Sequence, residues 1–196
     1  MNTKSKTEHI PHSTQFEALT KKLLCLFSAC GVIPSLSREE IEYYAALANF
    51  HDIGKGAIPP EILDKPASLT AEEFAVMKTH TIAGCRMLLE SPEFSCSDDL
   101  PLLCNVCRHH HERWDGGGYP DGLSGNQIAP WVQVVGMADA FDALLHPRVY
   151  KPAFPKVQAV RMIVTGACGT FCPDMAACFE QNIRGIFPQV YLYKIE

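Results

Sequence analysis

Apolar residues recur at three- and four-residue steps along almost the whole chain, and this regularity restricts the fold to packed helices. Phe16, Leu19, Leu23, Leu26 and Phe27 form one stripe, stopped near Gly31 and Pro34. Ser37 with Glu40 is an S-x-x-E capping box, followed by Ile41, Tyr44, Ala45 and Ala48 on one face of a helix that runs into His51 and Asp52. Thr70 with Glu73 opens another helix in the same way, carrying Phe74, Met77, His80 and Gly84. Leu100 to His111 reads as a buried helix ending in three successive histidines, and Trp131 to Leu145 as a further helix with Asp139 and Asp142 one turn apart. Pro155 and Pro173 suit the first residues of helices reaching about Thr165 and Arg184. Only Val190 to Ile195 alternates like a strand, and a lone terminal strand has no obvious partner. Gly54 to Leu69 and Gly116 to Pro130 are loops by their proline and glycine content. With no internal repeat and no dividing linker, the expected architecture is one all-α domain of roughly six or seven helices.

Composition narrows the function classes. Among 196 residues, 22 acidic against 17 basic side chains leave a net charge of -5, so no broad positive field exists to hold nucleic acid or an anionic membrane. An anionic substrate must then be held by a few local cations or by metal. No run approaches the ~18 apolar residues of a membrane span, and Met1 to Thr7 lacks the apolar core of a signal peptide. The expectation is a soluble cytosolic protein. Nine cysteines cannot all pair within the chain, and no second pair exists to complete a zinc cage with Cys104 and Cys107. Cys25, Cys30, Cys85, Cys168 and Cys178 lie among apolar neighbours, where a reduced thiol packs as a small hydrophobe.

The polar residues that interrupt the apolar faces are mostly His and Asp, and they fall at helix ends. His51-Asp52 ends one helix, His80 lies in the next, and His110-His111 end a third. Asp139 follows the apolar run Val134-Val135-Gly136-Met137-Ala138, where a carboxylate is costly unless a cation or donors meet it. Imidazole and carboxylate without thiolate suit Fe, Mn or Zn, and adjacent His-Asp and His-His pairs can reach neighbouring ions. The pattern points to a di-metal hydrolase, in which two ions clamp a phosphoryl oxygen and activate water. Taken singly, a His-Asp dipeptide or a helical His is more often a hydrogen-bonded core or surface residue; the order of the pieces carries the reading.

Along the chain stand His51-Asp52-Ile53-Gly54-Lys55, Ile58-Pro59, Leu63-Asp64-Lys65-Pro66, Leu69-Thr70-Ala71-Glu72-Glu73 and Met77-Lys78-Thr79-His80. Then come His110-His111-Glu112-Arg113-Trp114-Asp115-Gly116, Gly118-Tyr119-Pro120, Gly122-Leu123-Ser124-Gly125 and Asp139-Ala140-Phe141-Asp142-Ala143-Leu144. From about Glu8 to Phe179 this series resembles the HD-GYP family of bacterial metal-dependent cyclic dinucleotide phosphodiesterases.

The resemblance implies an HD-domain-type helical bundle with a Gly-rich GYP loop: residues 1–7 as a tail, 8–184 as the catalytic domain and 185–196 as a C-terminal extension. It implies His51, Asp52, His80, His110, His111 and Asp139 as metal ligands, with Asp52 bridging two ions. Glu8 and His12 match an upstream element that supplies a further ligand and a carboxylate for a third ion; His9 competes for the role, and solvated residues near a chain start are the plain alternative. Lys55 matches a phosphate-contacting, proton-donating lysine, against a solvated loop lysine. Tyr119 matches a guanine- or phosphate-contacting tyrosine, against a loop anchor. Asp142, Arg148 and Lys151 match further substrate contacts, against a structural Asp142–Arg148 ion pair. Three positions depart from the family pattern: Gln15 replaces a frequent arginine, Val149 interrupts a usual basic run, and His109 adds a histidine before the pair. Glu112-Arg113 following directly favours His110 and His111 as the ligands.

The implied cofactors are two or three divalent ions, Fe or Mn. The implied activity is hydrolysis of cyclic di-GMP to the linear dinucleotide pGpG and onward to GMP. Its rivals are a preference for hybrid cyclic GMP-AMP, a more general nucleotide phosphohydrolase, and a non-catalytic module that binds partners such as diguanylate cyclase domains through the GYP loop.

Overall fold

The computed structural model describes residues 14–147 and 153–186. The order is α1 (Thr14–Ala29), α2 (Arg38–Ala48), a 3-10 turn (Ile53–Ala57), α3 (Pro60–Leu63), α4 (Ala71–Lys78), α5 (His80–Glu90) and α6 (Leu100–His109). A second 3-10 turn (Gly125–Gln127), α7 (Pro130–Leu145), α8 (Lys156–Val164) and α9 (Pro173–Ile186) complete it. Among the described residues nothing extends beyond isolated β-bridges, so the all-α expectation holds. The strand-like Val190 to Ile195 lies outside the described residues.

Local chemistry sets the boundaries. Gly31 adopts a φ of 70°, which lets the Val32 N–H turn back to the Phe27 carbonyl and closes α1. Both capping boxes form, with Ser37 and Thr70 each accepting from the N3 backbone while Glu40 and Glu73 reach back. The helix expected to run from Thr70 through Gly84 is two helices meeting at Thr79. The cause lies in three side chains that bond carbonyls three residues back: Thr79 to Val76, His80 to Met77 and Thr81 to Lys78. Those bonds compete with the regular ladder and tighten the chain. The stretch from Gly54 to Leu69, expected as loop, contains the first 3-10 turn and α3, both too short to leave a periodic trace.

α7 is buried on nearly every side, with Val134, Val135, Met137, Ala138 and Phe141 inaccessible to solvent, and α1 and α8 pack directly on it. Leu23, Leu24 and Phe27 of α1, Leu103 and Val106 of α6, and Phe179 and Ile183 of α9 fill the same core. Each such side chain contributes roughly 1.5–3 kcal/mol by leaving water. α5 pairs with α6 and packs closely on the 3-10 turn at 53–57. This brings the end of α2, the start of α5, the end of α6 and the middle of α7 to one place. All nine cysteines are unbridged; Cys25 and Cys30, expected among apolar neighbours, are exposed, Cys25 because it falls off the buried stripe of α1 and Cys30 because it stands in the turn that follows it. No helix among the described residues is long and apolar enough to cross a membrane.

Candidate metal centre

At that meeting point the imidazoles are oriented by the backbone. The Nδ1 atoms of His51, His80 and His110 lie 2.8, 2.7 and 2.9 Å from the carbonyls of Ala48, Met77 and Val106. Each Nδ1–H therefore donates to a carbonyl, and the lone pair is left on Nε2, the arrangement a metal-ligating histidine needs. Those Nε2 atoms converge. His80 Nε2 is 3.4 Å and His110 Nε2 3.8 Å from Asp52 Oδ1, while His51 Nε2 is 3.1 Å from Asp52 Oδ2 and 3.8 Å from Asp139 Oδ1.

The donors fall into two sets, Asp52 with His80, His110 and His111, and Asp52 with His51 and Asp139, each with its ligand atoms within 4.8 Å of one another. Asp52 is common to both. Its Oδ1 is buried with no hydrogen-bond partner, and His80 and His110 face each other Nε2 to Nε2 at 3.4 Å. Two lone pairs and an orphaned carboxylate oxygen aimed at one point are costly without a cation between them. The donor set therefore fits a divalent metal.

The electrostatics agree. Burial holds His80, His110 and His111 below the ordinary histidine range, the last two well below because neighbouring imidazoles oppose a further charge. Burial would also lift the Asp52 carboxyl and pull the His51 imidazole down. Their mutual attraction, with Lys55 beside Asp52, outweighs this, so Asp52 stays well below the carboxylate range and His51 above its own. Asp139 is lifted by its burial in α7.

Close backbone approach holds the donors together. Gly54 faces Gly84 and the His80 carbonyl, and Gly136 of α7 faces the His110 carbonyl, so near that a Cβ at either glycine would overlap these atoms. The Cys107 thiol donates to the Phe50 carbonyl at 3.0 Å, joining α6 to the turn that carries His51 and Asp52. Two positioning residues were not assigned a role from sequence. Arg113 donates from Nη1 to the carbonyls of His110 and Glu112 and lays its guanidinium over the Phe171 ring. Glu112, buried, accepts from the backbone N–H groups of Asp121, Gly122 and Leu123 and so pins the GYP loop. The available signal was a Glu-Arg pair between a helix end and a glycine-rich loop, where unpaired amides and carbonyls need partners.

A cleft of about 670 Å³ opens over the donors, lined by His80, His111, Asp139, Lys55 and Tyr119 among others, a volume suited to a small ligand. The Lys55 ammonium donates to Asp52 Oδ2 and so is not a freely solvated lysine. Tyr119 stacks on His111, with centroids 4.8 Å apart. His109 turns away, between Asn105 at 2.8 Å and Asp121 at 2.9 Å, which leaves His110 and His111 as the histidines of this end of α6 facing the cluster. Asp142, expected at the substrate, faces His146 at 3.3 Å and does not line the cleft. Glu8, His12, Arg148 and Lys151 lie outside the described residues.

The HD domain family model matches residues 12–171. The chain belongs to the HD domain family. Within that family its His51-Asp52 pair and its Gly118-Tyr119-Pro120 element mark it as an HD-GYP member. A cyclic di-GMP phosphodiesterase of Vibrio cholerae is 36% identical over 172 residues, which are 87% of this chain and 35% of that protein. A cyclic di-GMP phosphodiesterase of Thermotoga maritima is 42% identical over 151 residues, 76% of this chain and 39% of that protein. This HD domain chain thus spans well under half the length of the curated relatives it matches. An HDG"Y"P protein of Bdellovibrio bacteriovorus shares the fold, with a TM-score of 0.62 at 21% identity over 87% of this chain and 52% of that one. As an HD domain chain it is a divalent-metal protein, and the cluster around Asp52 is the place that fits the metal.

Proposed function

We propose that this chain is a metal-dependent phosphodiesterase that hydrolyses cyclic di-GMP to pGpG, with GMP as the product of a second cut. The observation that carries the reading is Asp52, one carboxylate shared by two donor sets, with the Lys55 ammonium on its Oδ2. His51, His80, His110, His111, Asp52 and Asp139 hold the ions on this reading. Iron or manganese suits a set of imidazoles and carboxylates, and the buried Cys107 thiol is spent on the Phe50 carbonyl. When bound, divalent ions supply Lewis acidity to a phosphodiester and lower the pKa of water.

The rest is done by the protein. The backbone-held Nδ1 atoms fix the imidazole planes, so the ligands need no reorganisation on binding. Lys55 stands at the edge of the cleft, where its ammonium can leave Asp52 for the oxygen that develops charge as the ester bond breaks and can give that oxygen a proton. Tyr119, braced against His111 and by the loop that Glu112 pins, forms the wall against which substrate lies. Glu8 and His12 at a third ion, Arg148 and Lys151 as substrate contacts, and a GYP-loop surface for diguanylate cyclase domains belong to the same proposal. So do the catalytic unit of residues 8–184 and action in the cytosol.

The test is turnover by the purified chain, loaded anaerobically with Fe or Mn, of cyclic di-GMP beside cyclic GMP-AMP. Faster production of pGpG from cyclic di-GMP supports the reading; no hydrolysis of either nucleotide by metal-loaded protein overturns it.

A further inference from the structure

Phe74 of α4 is 46% exposed, yet it lines the cleft that His80, His111 and Asp139 share. It meets the Tyr119 ring edge-on, with centroids 6.3 Å apart and planes at 84°. Lys78, one turn further along α4, holds its ammonium 5.3 Å from the Phe74 centroid and 5.6 Å from that of Tyr119. A cation shared by two rings fixes their relative placement. The Tyr119 ring is thus already engaged, with its face on the His111 imidazole, Phe74 at right angles and an ammonium over it. Phe74 shares that ammonium, yet among the described residues no ring stacks on it as His111 does on Tyr119, and it keeps 46% of its surface exposed to the cleft and solvent.

α4 holds that surface rigidly. Its capping box with Thr70 is reinforced by Lys65, which donates to Glu73 at 2.6 and 2.8 Å. An isolated exposed phenylalanine is ordinary. One fixed at the lip of a cleft, leading outward from metal-binding histidines through Tyr119, is a preorganised platform for a flat ring. The Ile62 and Leu63 side chains give the cleft a second apolar stretch.

We propose that Phe74 stacks a purine base of the cyclic dinucleotide, forming a base subsite outward of Tyr119; this rests on the phosphodiesterase reading above. A phosphodiester seated at Asp52 and Lys55 carries its sugar and base along the cleft, and Phe74 is where an aromatic base finds an open partner. Base–aromatic stacking tolerates any base, so the subsite strengthens binding of cyclic di-GMP and cyclic GMP-AMP alike without choosing between them.

The experiment uses the metal-loaded chain, with binding measured on a hydrolysis-resistant phosphorothioate of cyclic di-GMP and turnover on cyclic di-GMP itself. Phe74→Ala and Phe74→Leu are each expected to weaken binding by roughly 5- to 100-fold. KM should rise in step while kcat changes by less than about twofold, and Phe74→Trp should restore both affinity and KM. Parent-like affinity in Phe74→Ala, or in Phe74→Leu where only bulk is kept, overturns the subsite. If the parent hydrolyses cyclic di-GMP and Phe74→Ala binds as tightly, the subsite falls and the phosphodiesterase reading stands. If the parent binds without hydrolysis and Phe74→Ala weakens that binding, the catalytic reading falls and the subsite stands. A parent that does not bind the phosphorothioate overturns both.

Discussion

Gly54→Ala separates what the backbone does for the metal centre from what the ligands do. An added Cβ at position 54 would lie 2.0 Å from the His80 carbonyl oxygen, 2.4 Å from Gly84 N and 2.9 Å from Gly84 Cα. All three are backbone atoms of α5, so no side-chain rotation relieves the overlap. Ordinary contact begins near 3.4 Å, so the turn at 53–57 must retreat from α5 by about 1.4 Å. That is a large part of the 3.4 Å now separating Asp52 Oδ1 from His80 Nε2, so the two donor sets lose register as well as packing. Overpacking costs about 1–3 kcal/mol, and contact with main chain alone places this case at the upper end. For a chain of this length the melting temperature should fall by about 6–12 °C. The assay is thermal unfolding with and without metal, together with metal content of the folded protein. Gly56→Ala is the control, since its Cβ would meet only Met87 Cε at 4.0 Å and should behave like the parent. A Gly54→Ala protein with parental melting temperature and metal content would refute the close-approach reasoning.

Glu112→Gln leaves one of the amides of Asp121, Gly122 and Leu123 facing an NH2 group; it should cost about 1–3 kcal/mol and speed hydrogen exchange at 121–123, with unchanged exchange counting against the clamp. Lys55→Ala should keep its metal yet lose roughly 10²-fold or more in rate, and an unchanged rate would leave Lys55 only its ion pair with Asp52. In metal-free protein, His80, His110 and His111 have folded values below the unfolded one of about 6.5, so the unfolded chain takes up protons first as the pH falls. His51, raised in the fold, works the other way, holding its contribution at low pH and losing it as the pH rises through its folded value. With three groups against one, the urea midpoint should drop between about pH 7.5 and 5.5; a midpoint that rises over this window contradicts the assignment.

Most of this His/Asp cluster was legible in sequence because its donor residues sit where local rules already speak. His51 and Asp52 stand in the turn just after a helix opened by a capping box, and His110 follows the last turn of another. His80 was legible as a helical residue but not as the first residue of a new helix, because the break at Thr79 comes from side-chain bonds to carbonyls that periodicity does not register. Asp142 shares the His/Asp chemistry and the helical face of Asp139, yet one turn carries it out of the cleft to His146. Sequence could not assign Glu112, whose partners are amides 9–11 residues away, nor Arg113, whose contacts include Phe171 across the fold. Phe74 was legible only as a residue at helical spacing with Met77; that it stays exposed beside Tyr119 follows from the packing of α4 against the GYP loop.

The shared carboxylate is tested most directly by metal stoichiometry of anaerobically purified protein, parent against Asp52→Asn, with turnover of cyclic di-GMP measured on the same samples. The parent should hold about two or three ions per chain, and Asp52→Asn should lose at least about one ion together with turnover, because a neutral amide cannot join two cations. Full metal content and full turnover in Asp52→Asn would contradict a centre built on Asp52.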